Sequence, residues 1–139
     1  MHRVTDHSVI KPFRVGERVV LLEIFEENKQ LTIVRRGGDL VDEAALRGQI
    51  TALFDLEKDL APFYSLLRTD PDLAFMTTDY WGLRLIGIPD LFEALCWSII
   101  GQQINLTFAY TLKRRLVELA GEQIAYDGHV YFGFPPPTI

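Results

Sequence analysis

Three amide side chains, Gln102, Gln103 and Asn105, stand between two apolar segments in the stretch SIIGQQINLTFAYTLKRRL. An amide both donates and accepts hydrogen bonds, so such a cluster suits contact with a base edge, or filling of the gap left by an extruded base. The structural alternative is a helix–helix turn in which Asn105 caps the second helix. That accounts for the asparagine, but not for two adjacent glutamines beside Ile99, Ile100 and Ile104. Both readings stand on the residues alone. Lys113, Arg114 and Arg115 follow about two or three helical turns later. They form either a solvated last turn favoured by the helix dipole or an edge that contacts phosphate. Arg35 and Arg36 admit the same pair of readings. With a net charge of −5 over the chain, the solvated face is the plainer one on charge alone.

Other chemistries find little support. His2, His7 and His129 are scattered and Cys96 lies within an apolar run, so no pair has metal-ligand spacing. A cysteine in such a run is ordinarily inert core rather than a nucleophile. Neither the glycine pair at Gly37 nor GLRLIG has the form of a phosphate-cradling loop. No metal and no cofactor are expected.

The elements that must position the amides follow from pattern. Residues 18–25 and 31–35 are rich in Val, Ile, Leu and Thr around a polar EENKQ, which predicts two antiparallel strands. From Asp42 the period becomes helical, with Asp42 as N-cap and Ala45, Leu46, Ile50, Leu53 and Phe54 on one side. A second helix is centred on Leu60, Phe63, Tyr64 and Leu67, with Pro62 in its first turn. Asp70-Pro71 predicts a short third helix through Met76. After the connector YWGLRLIGIP, the DLFE at Asp90 has the form of a capping box. The helix it opens is so apolar that burial on most sides is expected, and Gly101 is expected to end it as a left-handed cap. The last helix spans about 105–120, with Gly121 as its stop. The tail, with three consecutive prolines, reads as extended polyproline-type chain.

Strands first and helices after predict an α+β fold. Of the residues, 48 % are apolar and 24 % charged, which excludes wholesale disorder. The single cysteine rules out an internal disulfide, and the run from Leu91 to Ile100 is too short to cross a bilayer. With no secretory signal evident, an intracellular, cytoplasmic protein with no membrane partner is expected.

The segment GLRLIGIPDLFEALCWSIIGQQINLTFAYTLKRRLVELAG, with YFGFPPP after it, resembles the DNA-3-methyladenine glycosylase II family of the helix-hairpin-helix glycosylase superfamily. ITALFDLEKDLAPFYSLLRTDP upstream is similar to the family's approach to that domain, so the resemblance runs from about Leu31 onward. It implies base excision repair: bending of duplex DNA, extrusion of an alkylated purine and hydrolysis of its N-glycosidic bond. By position it implies that Gln103, with Gln102 beside it, enters the vacated stack, where some relatives carry an apolar wedge. The family's L-P-G-I-G-x-x-T-A hairpin and the catalytic aspartate that follows it have no counterpart among these 139 residues. LIGIPDLFEA looks briefly like the hairpin, but Pro89 removes a donor that a phosphate nest requires. Asp90 is explained as a cap, so no catalytic residue is assigned.

The resemblance therefore implies a short antiparallel sheet followed by the first helices of a glycosylase domain, divided as residues 1–80 and 81–139. The expected partner is double-stranded DNA containing alkylated bases, contacted through Gln102, Gln103 and Asn105, with phosphate contact by Lys113, Arg114 and Arg115. The chain by itself is expected to be inactive. The alternative is a non-catalytic DNA-binding or packing module, in which Phe92, Leu95 and Ile99 stay uncovered and favour self-association.

Overall fold

A computed structural model describes residues 2–137 of the chain. Two compact units divide it: Met1–Leu46 with Asp90–Ile139, and Arg47–Pro89. The boundary expected at residue 80 falls inside the second unit.

The first unit is built on a four-stranded antiparallel sheet in the order β1 (Arg3–Val4), β2 (Ser8–Val15), β3 (Arg18–Glu27) and β4 (Gln30–Gly38). The β3–β4 turn has Asn28 and Lys29 both at positive φ, the conformation whose twist matches that of the flanking strands. β2 was not expected from the sequence, and it carries Pro12, a residue unsuited to a central strand. It is tolerated because β1 pairs only with Val9 and Ile10, so β2 is already an open edge where Pro12 lies. A bulge where Leu21 pairs with Gly37 and Leu22 with Arg35 leaves Arg36 as the extra residue, ion-paired at 2.7 Å to Glu23.

The tail holds a second sheet, a correction to the extended reading. β5 (Gln123–Tyr126) and β6 (His129–Phe132) form a hairpin about Asp127-Gly128, both at positive φ. Ile124 and Tyr131 face each other across it and pack with Ile10, Val19 and Leu21 as the core of this unit. The approach is close enough to require glycine at Gly38, where a Cβ would lie 2.3 Å from the Val19 carbonyl oxygen. Gly121, after the last helix, is needed for the same kind of reason. Its backbone is extended, not left-handed, and a Cβ would sit 2.2 Å from the Gly133 carbonyl oxygen.

Helix α1 (Glu43–Leu53) starts at the cap provided by Asp42, whose carboxylate accepts from the Ala45 amide at 2.9 Å. In the second unit, α2 (Ala61–Leu67) carries Pro62 in its first turn. The helix expected after Asp70 is instead a run of turns ending in α3 (Met76–Asp79). The Asp70 carboxylate accepts from Asp72 two residues on, a local turn that competes with helix initiation. The connector is irregular but fixed. Gly82 donates to the Tyr64 hydroxyl at 2.7 Å, Trp81 stacks on Tyr64 with ring centroids 4.4 Å apart, and Arg84 donates to the Asp55 and Lys58 carbonyls. Among the described residues, no helix is long and apolar enough to cross a membrane.

Candidate nucleic-acid interface

Two helices of the first unit carry the amide cluster: α4 (Leu91–Ile100) and α5 (Leu106–Ala120). Each begins where its capping side chain dictates. Asp90 accepts from the Glu93 amide at 2.7 Å and Asn105 from the Phe108 amide at 2.8 Å. α4 is not buried on most sides. Phe92, Glu93, Cys96 and Trp97 face inward, whereas Leu91, Leu95 and Ile99, at four-residue spacing, are 73, 54 and 69 % exposed. An all-round apolar composition indicates a demand for cover without identifying what supplies it.

The two helices are joined by a polar and aromatic brace. Glu93 and Trp97 are one turn apart on α4, as are Tyr110 and Lys113 on α5. Lys113 Nζ donates to Glu93 Oε1 at 2.8 Å, and the Trp97 and Tyr110 rings lie 5.0 Å apart. The same ammonium sits 4.9 Å from the centre of the Trp97 ring. Burial alone would push the Glu93 carboxyl up, but the Lys11 charge and the hydrogen bond and charge of Lys113 outweigh it and hold the group below the usual carboxylate range. Sequence reasoning missed this brace. The four-residue spacing of Glu93 and Trp97 was visible, but pairing them with Tyr110 and Lys113 requires the register between two helices.

Between the braced helices lies the turn at residues 101–105. Gly101 is not its left-handed residue, since its φ of −78° and ψ of −6° simply prolong the helix. The left-handed position is Gln103, with φ 57°, which costs a non-glycine residue about 1–2 kcal/mol. Gln102 and Gln103 are exposed, and neither side-chain amide hydrogen-bonds to a described residue. Asn105 lies in the same turn with its Oδ1 committed to the cap, so its presence needs no ligand.

The basic trio divides. Lys113 is turned inward with its side chain only 17 % exposed and its charge matched by Glu93. Arg114 and Arg115 are exposed. Arg35 and Arg36 lie on β4 and are engaged within the sheet, Arg35 with the Gly38 carbonyl at 2.9 Å and Arg36 with Glu23.

A four-stranded antiparallel sheet with following helices is a fold shared with about half the length of solved DNA glycosylase chains. The 3-methyladenine DNA-glycosylase of Archaeoglobus fulgidus superposes with a TM-score of 0.76 at 21 % identity, over 96 % of this chain and 46 % of that one. The Clostridium acetobutylicum 8-oxoguanine glycosylase/lyase, solved in complex with double-stranded DNA, superposes with a TM-score of 0.64 at 20 % identity, over 98 and 54 % of the two chains. Residues 2–95 match the family described as 8-oxoguanine DNA glycosylase, N-terminal domain, and the chain belongs to it. The DNA-3-methyladenine glycosylase of Bacillus subtilis (strain 168) is 40 % identical over 141 residues, covering 98 % of this chain and 46 % of the relative. The chain thus spans about half the length of that relative.

Proposed function

We propose that the chain is the DNA-engaging front portion of a base excision glycosylase acting on alkylated purines in duplex DNA within the cell. The observation that carries this reading is the turn at residues 101–105. It presents two unbonded amides at the tip of a braced helix pair, with Gln103 in the left-handed conformation. Gln103 enters the stack where a base has been extruded, and its amide hydrogen-bonds to the orphaned partner base. Gln102 supports it from the adjacent position. The alkylated-purine assignment is supported by the name of the 40 % identical relative.

The test uses the 139-residue chain with duplexes carrying 2-aminopurine beside an abasic-site analogue. Insertion changes the 2-aminopurine emission, and Gln103→Ala abolishes that change while binding persists. An unaltered signal in Gln103→Ala would remove the wedge role. Assayed alone on methylated DNA, the chain releases base at background rate; robust release would contradict the absence of a catalytic aspartate from the reading.

The exposed stripe of Leu91, Leu95 and Ile99 favours a second reading, in which the chain is a packing module that associates with itself or with another polypeptide. Absence of duplex binding at low salt, together with concentration-dependent mass in light scattering, would favour it.

A further inference from the structure

A groove of about 300 Å³ in the first unit lies away from the amide turn, lined by side chains from β1, α5 and β6. Arg3 and Arg114 enter it from different elements, His2 and His129 flank them, Val117 contributes apolar wall, and Glu118 is its acidic member.

The two arginines of the groove differ from the sheet arginines of the same unit. Arg14 reaches Glu122 and the Phe134 carbonyl, Arg18 the Leu40 carbonyl, Arg35 the Gly38 carbonyl and Arg36 Glu23. The side chains of Arg3 and Arg114, like that of the neighbouring exposed Arg115, make no hydrogen bond or ion pair with a described residue; Arg3 and Arg114 are the two that line the groove. Even Glu118, one helical turn beyond Arg114, is not ion-paired to it. Partial burial, and then the Lys11 charge, lower the His2 pKa, so the positive charge here at neutral pH comes from the guanidinium groups. Two unpaired arginines against one glutamate give local positive charge on a chain whose net charge is −5.

We propose that this groove is a phosphate-binding site that holds a backbone phosphate of duplex DNA. Guanidinium forks from separate elements suit a tetrahedral oxyanion, which accepts from several N–H donors at once. The histidine rings supply further donors at the rim. Arg114 is nine residues beyond Asn105, which is about 13 Å along α5, or about four base-pair steps of duplex. That separation is short against the length of a duplex, so one duplex could reach both the turn and the groove. The inference rests on the DNA reading of the amide turn and adds a second anchor to it.

The experiment measures duplex affinity of the full chain against salt concentration, with amide NMR shifts recorded for duplex and, separately, for inorganic phosphate. Arg3→Gln and Arg114→Gln are each expected to weaken binding several-fold and to reduce the salt slope by about 0.9. Glu118→Gln is expected to tighten binding, and Lys29→Gln, in the exposed β3–β4 turn, to leave the slope unchanged. Shifts at Arg3, Arg114 and residues 129–132 on duplex addition complete the expected result. Duplex binding with an unchanged slope in Arg3→Gln/Arg114→Gln overturns the groove and leaves the amide turn standing. Phosphate shifts at these amides without any duplex binding would mean a free-anion site, overturning both the DNA source and the reading of the turn. Neither duplex nor phosphate binding overturns both proposals.

Discussion

The sheet and the α4–α5 pair belong to one compact unit but are held together by different forces. Val19 and Leu21 of β3 are fully buried, and the β5–β6 hairpin closes over them through Ile124 and Tyr131. On α4, Leu91, Leu95 and Ile99 remain more than half exposed, while the inward side is bound to α5 by an ion pair and two aromatic rings. Apolar burial therefore stabilises the sheet, and a directional polar brace sets the helix pair. Apolar contacts tolerate small slippage, whereas an ion pair within a ring stack fixes rotation and register. A turn that must aim two amides gains from the second kind of restraint.

The largest expected effect tests the contrast directly. Leu21→Ala opens a cavity in the closed part of the core and should destabilise the chain by about 3 kcal/mol, read from urea midpoints. Leu95→Ala removes a larger exposed surface and should cost about 0.5 kcal/mol or less. Equal losses would mean that the α4 stripe is covered in solution, and the comparison would fail.

Next comes the brace. Glu93→Gln leaves the Lys113 ammonium half-buried without its partner, an expected loss of about 2 kcal/mol. Because the Glu93 carboxyl titrates below its ordinary range in the folded chain, its contribution is fully present above that range and disappears as pH falls through the lowered value. Thermal midpoints of wild type and Glu93→Gln should thus differ most near neutrality and converge in acid. A difference that stays constant down to pH 3 would show that the pair contributes nothing through its charge.

The sheet offers a smaller test of the opposite sign. The Tyr131 hydroxyl is buried with no hydrogen-bond partner among the described residues. Tyr131→Phe removes an unsatisfied polar group from an otherwise apolar cluster and should stabilise by about 1 kcal/mol. A loss of stability would mean that the hydroxyl has a bound partner, such as a buried water.

Much of this contrast was legible in the residues, though unevenly. The β3–β4 hairpin, α1 and the caps at Asp90 and Asn105 follow from alternation, period and capping chemistry, all of which are local. β2 was not read from the sequence, and its tolerance of Pro12 depends on how short β1 is. The Asp127-Gly128 signal for a hairpin was present but lay beside a proline run that drew the tail toward an extended reading. For Gln102 and Gln103 residue type left a bend-closing turn and an outward-facing amide pair equally open, and only the family resemblance favoured the second. The burial of Lys113, the bracing by Trp97 and Tyr110, and the meeting of Arg3 with Arg114 could not be anticipated, because each depends on elements far apart in sequence.

The smallest expected effect concerns the turn itself and separates stability from function. Gln103 occupies a backbone region where glycine carries no steric penalty, so Gln103→Gly relieves local strain while giving the unfolded chain more freedom. These changes oppose each other, and the net shift should lie within about 1 kcal/mol of zero. If the residue were only closing a bend, glycine would be the better choice and nothing else would change. If the amide fills a vacated base position, Gln103→Gly should fold at least as well and still lose the 2-aminopurine response entirely. The left-handed glutamine is then a small strain retained at a position where a side chain must project, and a glycine variant with undiminished response would leave that strain without a reason.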